Sequence, residues 1–246
     1  MSKTISKFRF KQFSVSHHRS SMKVGVDGVL IGCWAYAEGS CRILDVGTGC
    51  GLISLIIAQR YPEAIIDAID IDAPSIEEAQ DNISASPWAS RIRAVLCSYG
   101  DVGSKLSGND YGYDLIVSNP PYFDSGVTEK VTAREKARHQ GALSPLSLLK
   151  GARNLLNADG YVAMVIPADI SDSVEDYAGC LGFRLVRKCF VRGHETAPYK
   201  RVLIQWGLSK REPQTDIHED FLTLEIAPGQ PTDAYRNLAK DFYLRF

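Results

Sequence analysis

From residue 42 onward, short β-branched apolar runs alternate with segments whose apolar residues recur at helical spacing. Arg42–Val46 reads as a buried strand, and Gly51–Tyr61 follows as a helix carrying Leu52, Leu55 and Ile56, stopped before Pro62. Ile65–Asp70 is the next strand, and Ala73–Ser86 a helix with Pro74 in its first turn. Arg91–Cys97 and Tyr113–Ser118 are two further strands. Pro145–Asn157 is a helix closed by Ala158-Asp159-Gly160, Tyr161–Ile166 a strand, and Asp172–Leu181 a helix ending at Gly182. Arg184–Val191 and Arg201–Trp206 complete seven strands.

Strands this short and apolar, separated by helices, predict a mostly parallel α/β sheet with helices on both faces. The last two strands have no helix between them, which predicts an antiparallel edge strand. Residues 1–40 form a basic N-terminal extension, with Phe8, Phe10, Phe13 and Val15 alternating as in a hairpin. Residues 41–206 are the core, and 207–246 a C-terminal extension with an edge strand at Phe221–Ile226 and a helix at Thr232–Phe242. Together they are expected to make one domain over 1–246. The polar stretch 123–144 lacks periodicity and is expected to be a long loop.

Composition narrows the class. The 246 residues are 45% hydrophobic and 23% charged, the proportions of an ordinary globular protein. No run approaches about 18 consecutive apolar residues, and the first residues lack the apolar stretch of a secretory signal. Six cysteines without a C-x-x-C pair then fit free thiols in a reducing cytoplasm, with no metal site expected. The net charge of −1 hides an uneven distribution. Residues 3–23 carry Lys3, Lys7, Arg9, Lys11, Arg19 and Lys23 without an acid. Residues 184–201 carry Arg184, Arg187, Lys188, Arg192, Lys200 and Arg201 against Glu195 alone.

Two motifs carry chemistry. Asp45-Val46-Gly47-Thr48-Gly49-Cys50-Gly51 sits at a strand-to-helix junction, where glycines let the backbone approach a ligand. Its spacing is G-x-G-x-G rather than the G-x-G-x-x-G of dinucleotide sites, and Asp45 stands two residues ahead. An acid there is awkward for a pyrophosphate and suits a ligand bearing an ammonium and a sulfonium. Asp70, ending the second strand, is placed to accept hydrogen bonds from ribose hydroxyls.

The second motif, Asn119-Pro120-Pro121-Tyr122, follows the fourth strand. By chance such a tetrapeptide arises on the order of once in 1,000 chains of this length. Two carbonyl acceptors, the Asn119 side chain and Pro120, can each take an N–H of a planar amine, favouring the state in which positive charge grows on nitrogen. The prolines stiffen the loop, and Tyr122 offers a stacking face for a base.

These residues resemble the class I S-adenosylmethionine-dependent methyltransferases, a Rossmann-like fold, over about residues 20–206. The resemblance implies S-adenosylmethionine as cofactor, with Asp45 toward its amino group, Gly47, Gly49 and Gly51 along its methionine part and Asp70 at the ribose. Ser98 stands where such enzymes often carry an acid for the cofactor adenine, and Asp101 comes three residues later. The chain further resembles bacterial tRNA (adenine-N6)-methyltransferases that modify adenine 37 of a valine tRNA. That likeness rests on Phe8–Phe13, Met22–Gly32, Ser86-Pro87-Trp88, Ala137-Arg138-His139 and Tyr199–Leu203. It departs at Val26, where the family commonly has threonine. It implies that Lys23 and Asp27 cover the cofactor, that Arg138 and His139 lie by the substrate mouth, and that the basic stretch through Lys200 and Arg201 follows RNA phosphates. Expected partners are tRNA, with no membrane. Alternatives are a protein glutamine methyltransferase acting on a release factor, or a non-catalytic RNA-binding relic of the fold. The first usually brings a separate helical N-terminal domain, and the second would be expected to lose one of the two motifs.

Overall fold

A computed structural model describes residues 7–38, 41–106, 112–121, 143–208 and 217–246. The antiparallel pair β1 (Phe8–Arg9) and β2 (Ser14–Val15) forms the expected hairpin. It is followed by α1 (Val26–Trp34), β3 (Arg42–Val46), α2 (Leu52–Arg60), β4 (Ile65–Asp70), α3 (Ala73–Ser84) and β5 (Ile92–Leu96). A 3-10 turn at Tyr99–Asp101 leads into the short α4 (Val102–Lys105) and then β6 (Tyr113–Ser118). After these come α5 (Pro145–Leu155), β7 (Leu156–Pro167), α6 (Ser171–Cys180), β8 (Phe183–Arg192), β9 (Arg201–Leu208) and β10 (His218–Thr223). A small pair, β11 (Glu225–Ala227) with β12 (Gln230–Pro231), precedes α7 (Asp233–Ala239).

The main sheet runs β10-β8-β9-β7-β6-β3-β4-β5. Every neighbouring pair is parallel except those of β9, which is antiparallel to both β7 and β8. The mostly parallel Rossmann-like α/β sheet is therefore borne out, with two corrections. Among the described residues it has eight strands rather than seven, and the antiparallel strand lies two places in from the edge. The reason is that β9 inserts between β7 and β8, and β10 then adds outside β8.

Strand residues are buried on both faces, which explains their near-continuous apolar character. Ile43, Ile66, Leu115, Val165 and Leu203 pack toward one cluster, while Leu44, Ile69, Ile116, Met164 and Ile204 pack toward the other. Part of the expected 1–40 extension packs into the core, since the first cluster takes in α1. Seven of its nine residues are buried, so no polar stripe marks it as a helix. Gly32 is the reason it can lie so close to α2: an added Cβ would sit 3.0 Å from Ile56. Helix starts follow local chemistry, as when Asp72 accepts the Ser75 N–H at 3.1 Å ahead of α3. No helix among the described residues is long and apolar enough to cross a membrane.

Candidate active site

Parallel strands deliver their following turns to one edge of the sheet, and the two motifs meet there. Gly47 and Thr48 donate their backbone N–H groups to the Ile69 carbonyl, each at 2.9 Å, so the turn leaving β3 folds over the end of β4. Gly47, Gly49 and Gly51 have φ of 71°, 55° and 83°, left-handed values that favour glycine. No atom of the described residues lies within 4 Å of where a Cβ on Gly49 would point.

Asp45 is fully buried beneath this turn. Its Oδ2 accepts the hydroxyls of Thr48 (2.6 Å) and Ser54 (2.7 Å) and the Ser54 N–H (3.1 Å). Its Oδ1 has no hydrogen-bond partner among the described residues. Burial pushes the Asp45 carboxyl up to about 6, against the opposing hydrogen bonds from Thr48 and Ser54. A buried carboxylate oxygen left without a donor suits a cationic ligand group.

Asp70 reaches the same turn from β4. Its Oδ2 accepts the Gly49 N–H at 2.9 Å and its Oδ1 the Asp72 N–H at 3.0 Å. Burial raises its carboxyl above the ordinary value, while those two N–H groups act the other way. The Cys97 N–H donates to the Asp70 carbonyl at 2.9 Å, which puts half-buried Ser98 beside it. Asp101 instead pairs with Lys105 at 3.5 Å and is half-exposed.

The acceptor motif begins one strand over. Ser118 lies opposite Val46 in register, and its hydroxyl donates to the Val46 carbonyl at 2.7 Å. The chain therefore leaves β6 as Asn119-Pro120-Pro121 beside the glycine turn, with Pro120 buried and Asn119 and Pro121 half-buried. Leu143 closes in from the far side, 3.6 Å from where a Gly47 Cβ would lie. Tyr122, Arg138 and His139 lie outside the described residues.

The remaining predicted residues are placed differently. Lys23 is exposed, whereas Asp27 accepts Arg201 Nε at 2.9 Å, joining the start of α1 to the start of β9. Exposed Lys200 donates its N–H to the Val191 carbonyl at 3.0 Å. Sequence reasoning missed Thr48 and Ser54, which orient Asp45, and Glu78 and Asn82 of α3. Fully buried Glu78 accepts the N–H groups of His18, Arg19 and Ser20 at 2.8, 3.1 and 2.8 Å. Asn82 holds Ser16 through both amide atoms and donates to the Cys50 carbonyl at 2.9 Å. The arm that leads to Lys23 is thus fixed to the glycine turn, and no local motif announces contacts so distant in sequence. Among the described residues, no group of three or more His, Cys, Asp or Glu side chains could hold a metal ion.

Comparison with known proteins is consistent with this arrangement. Residues 29–173 match the family model "Methyltransferase small domain". The chain is 43% identical over 238 residues to the tRNA1(Val) (adenine(37)-N6)-methyltransferase of Bacteroides fragilis strain YCH46, covering 97% of this chain and 98% of that protein. A protein of the same name from Trichodesmium erythraeum is 38% identical over 98% of this chain and 99% of its own length. Among solved structures, a predicted O-methyltransferase from Agrobacterium tumefaciens superposes with a TM-score of 0.65 at 17% identity, covering 88% of this chain and 96% of that one. A methyltransferase from Pyrococcus furiosus gives 0.55 at 19% identity, over 79% and 88%. These structural likenesses speak for the fold.

Proposed function

Because the chain belongs to the family of tRNA1(Val) (adenine(37)-N6)-methyltransferases, we propose that it methylates the exocyclic N6 amine of adenine 37 in a valine tRNA, using S-adenosylmethionine, in the cytoplasm. The observation that carries the mechanism is the Ser118–Val46 hydrogen bond, which sets the acceptor motif against the glycine turn.

The residues present fit the cofactor. Among the described residues, Asp45 Oδ1 is buried without a partner and nothing lies within 4 Å of a Cβ placed on Gly49. When bound, S-adenosylmethionine supplies an electrophilic methyl group on a sulfonium. Asp45 would hold its amino group, Gly47, Gly49 and Gly51 its methionine part, and Asp70 its ribose, with Ser98 at the adenine end. Lys23 and Asp27 would flank it from the arm and α1.

Asn119 and Pro120 act on the acceptor. The Asn119 side-chain oxygen and the Pro120 carbonyl each accept one N–H, turning the nitrogen lone pair toward the methyl group and stabilising the charge that develops on nitrogen. Pro121 keeps the carbonyl aimed before substrate arrives, and Tyr122 stacks on the adenine. No side chain need act as base, since the amine proton is acidic once nitrogen is methylated and leaves to water. Arg138, His139, Lys200 and Arg201 would contact RNA, and the target base must leave its stack to enter.

A valine tRNA transcript and one with guanine in place of adenine 37 test this reading. Methyl incorporation into the first and not the second is expected, and equal incorporation into both would refute the position assigned.

A further inference from the structure

The outer strands carry three aromatic rings that methyl transfer does not use. Phe190 of β8 stacks on Phe221 of β10, with centroids 5.5 Å apart and planes 14° from parallel. Tyr199, just ahead of β9, lies 5.9 Å from Phe190 and 5.5 Å from Phe221. Phe221 is 61% exposed and the other two rings are half-buried. Three rings clustered on a sheet face, one of them this open, make a candidate contact surface.

Its surroundings indicate what it contacts. The Arg192 guanidinium lies 5.1 Å from the Tyr199 ring centre, held by Thr223 Oγ1 at 2.8 Å and by the Glu195 carbonyl. Lys200 and Arg201 follow Tyr199 directly in the chain. Lys188 is 5.0 Å from the Phe190 ring but already paired with Glu175. Glu219 lies opposite Lys188 in register, two residues back from Phe221 and further from the strand ends. Among the described residues, the rim at the strand ends therefore carries Arg192 and Lys200 beside Glu195, while Arg201 is already paired with Asp27.

The patch also lies toward the same edge of the sheet as the candidate active site. Ile166, Val202, Phe190 and Phe221 form one register row across β7, β9, β8 and β10. At about 4.8 Å per strand, Phe221 is about 14 Å from β7, whose other neighbour β6 leads into Asn119. Planar rings with a cation over one of them, near a site for a nucleobase, match how unpaired RNA is held.

We propose that Phe221, Phe190 and Tyr199 form a stacking platform for unpaired bases of the tRNA near the target adenine, with Arg192 and Lys200 on the adjoining phosphates. The proposal rests on the reading of the chain as a tRNA methyltransferase. Stacking tolerates any base, so the platform supplies affinity and orientation, while base identity is read at the acceptor motif.

Binding of a fluorescent valine tRNA transcript tests it, with S-adenosylmethionine affinity measured alongside as the control for folding. Phe221→Leu keeps an apolar side chain and removes the ring, and should weaken RNA affinity about tenfold. Phe221→Trp should stay within about twofold of the parent, because a ring is retained. The salt dependence should be unchanged in Phe221→Leu and shallower in Arg192→Gln, since its slope counts phosphate contacts. RNA affinity of Phe221→Leu within twofold of a parent that does methylate tRNA would overturn the platform alone. A parent that neither binds nor methylates tRNA would overturn the functional reading, and the platform with it.

Discussion

The Asp70 carboxylate accepts the Gly49 N–H at 2.9 Å, so the end of β4 fixes the middle of the turn that leaves β3. One residue thereby shapes the glycine turn and faces the space beside it. Asp70→Ala should weaken S-adenosylmethionine binding at least tenfold by calorimetry, with turnover at saturating cofactor changed far less. An unchanged dissociation constant would remove Asp70 from the cofactor site.

Asp45 predicts a pH dependence. Its carboxyl is raised to about 6 by burial, so the free protein holds a proton there below that pH. A cationic ligand group favours the ionised form, and binding must expel the proton. Cofactor affinity should therefore fall as pH drops from about 7 to 5, a dependence that Asp45→Asn should lose along with most of the affinity. For the free protein the sign is opposite. A raised carboxyl contributes stability that is full below about pH 4 and lost as pH rises through about 6. Asp45→Asn should thus gain stability relative to the parent between pH 5 and 7 in thermal melts.

Asn119 is positioned by the Ser118–Val46 hydrogen bond and by the buried proline after it. Asn119→Ala should lower the methylation rate about a hundredfold or more, with cofactor affinity within twofold of the parent. A rate within a few-fold of the parent would exclude the amide as a transition-state acceptor.

Glu78 fastens the N-terminal arm to α3. Although burial works against its ionisation, the N–H groups of Ser20, Arg19 and His18 hold its carboxyl below the ordinary range. Glu78→Gln puts an NH2 where an N–H points, and should lower the melting temperature at pH 7 by about 4–8 °C, for a loss of about 2 kcal/mol. A depressed carboxyl contributes stability present above its unfolded value and lost as pH falls through the folded one. The gap between parent and variant should narrow below about pH 4.5.

What could be read from the sequence divides along physical lines. The parallel strands were legible because burial on both faces makes them short apolar runs, and Asp45, the glycines, Asp70 and Asn119 because chemistry fixes their local spacing. Helix α1 was not, since a helix buried all round shows no polar stripe. The apolar run starting at Tyr161 marks the fifth sheet strand in chain order, whereas β7 begins at Leu156 through a register shift that Ala158-Asp159-Gly160 disguises as a helix stop. The edge strand expected at Phe221–Ile226 lies at His218–Thr223, shifted because Leu224 turns the chain into β11. The Asp27–Arg201 pair and the hold of Glu78 on Ser20 span 174 and 58 residues, and only the folded chain brings such partners together.

The most direct test of the account is incubation with isotopically labelled S-adenosylmethionine and unfractionated bacterial tRNA, followed by digestion to nucleosides and mass spectrometry. Label is expected in N6-methyladenosine and should be lost with Asn119→Ala. Label in another nucleoside, or none in RNA from a protein that binds the cofactor, would contradict it.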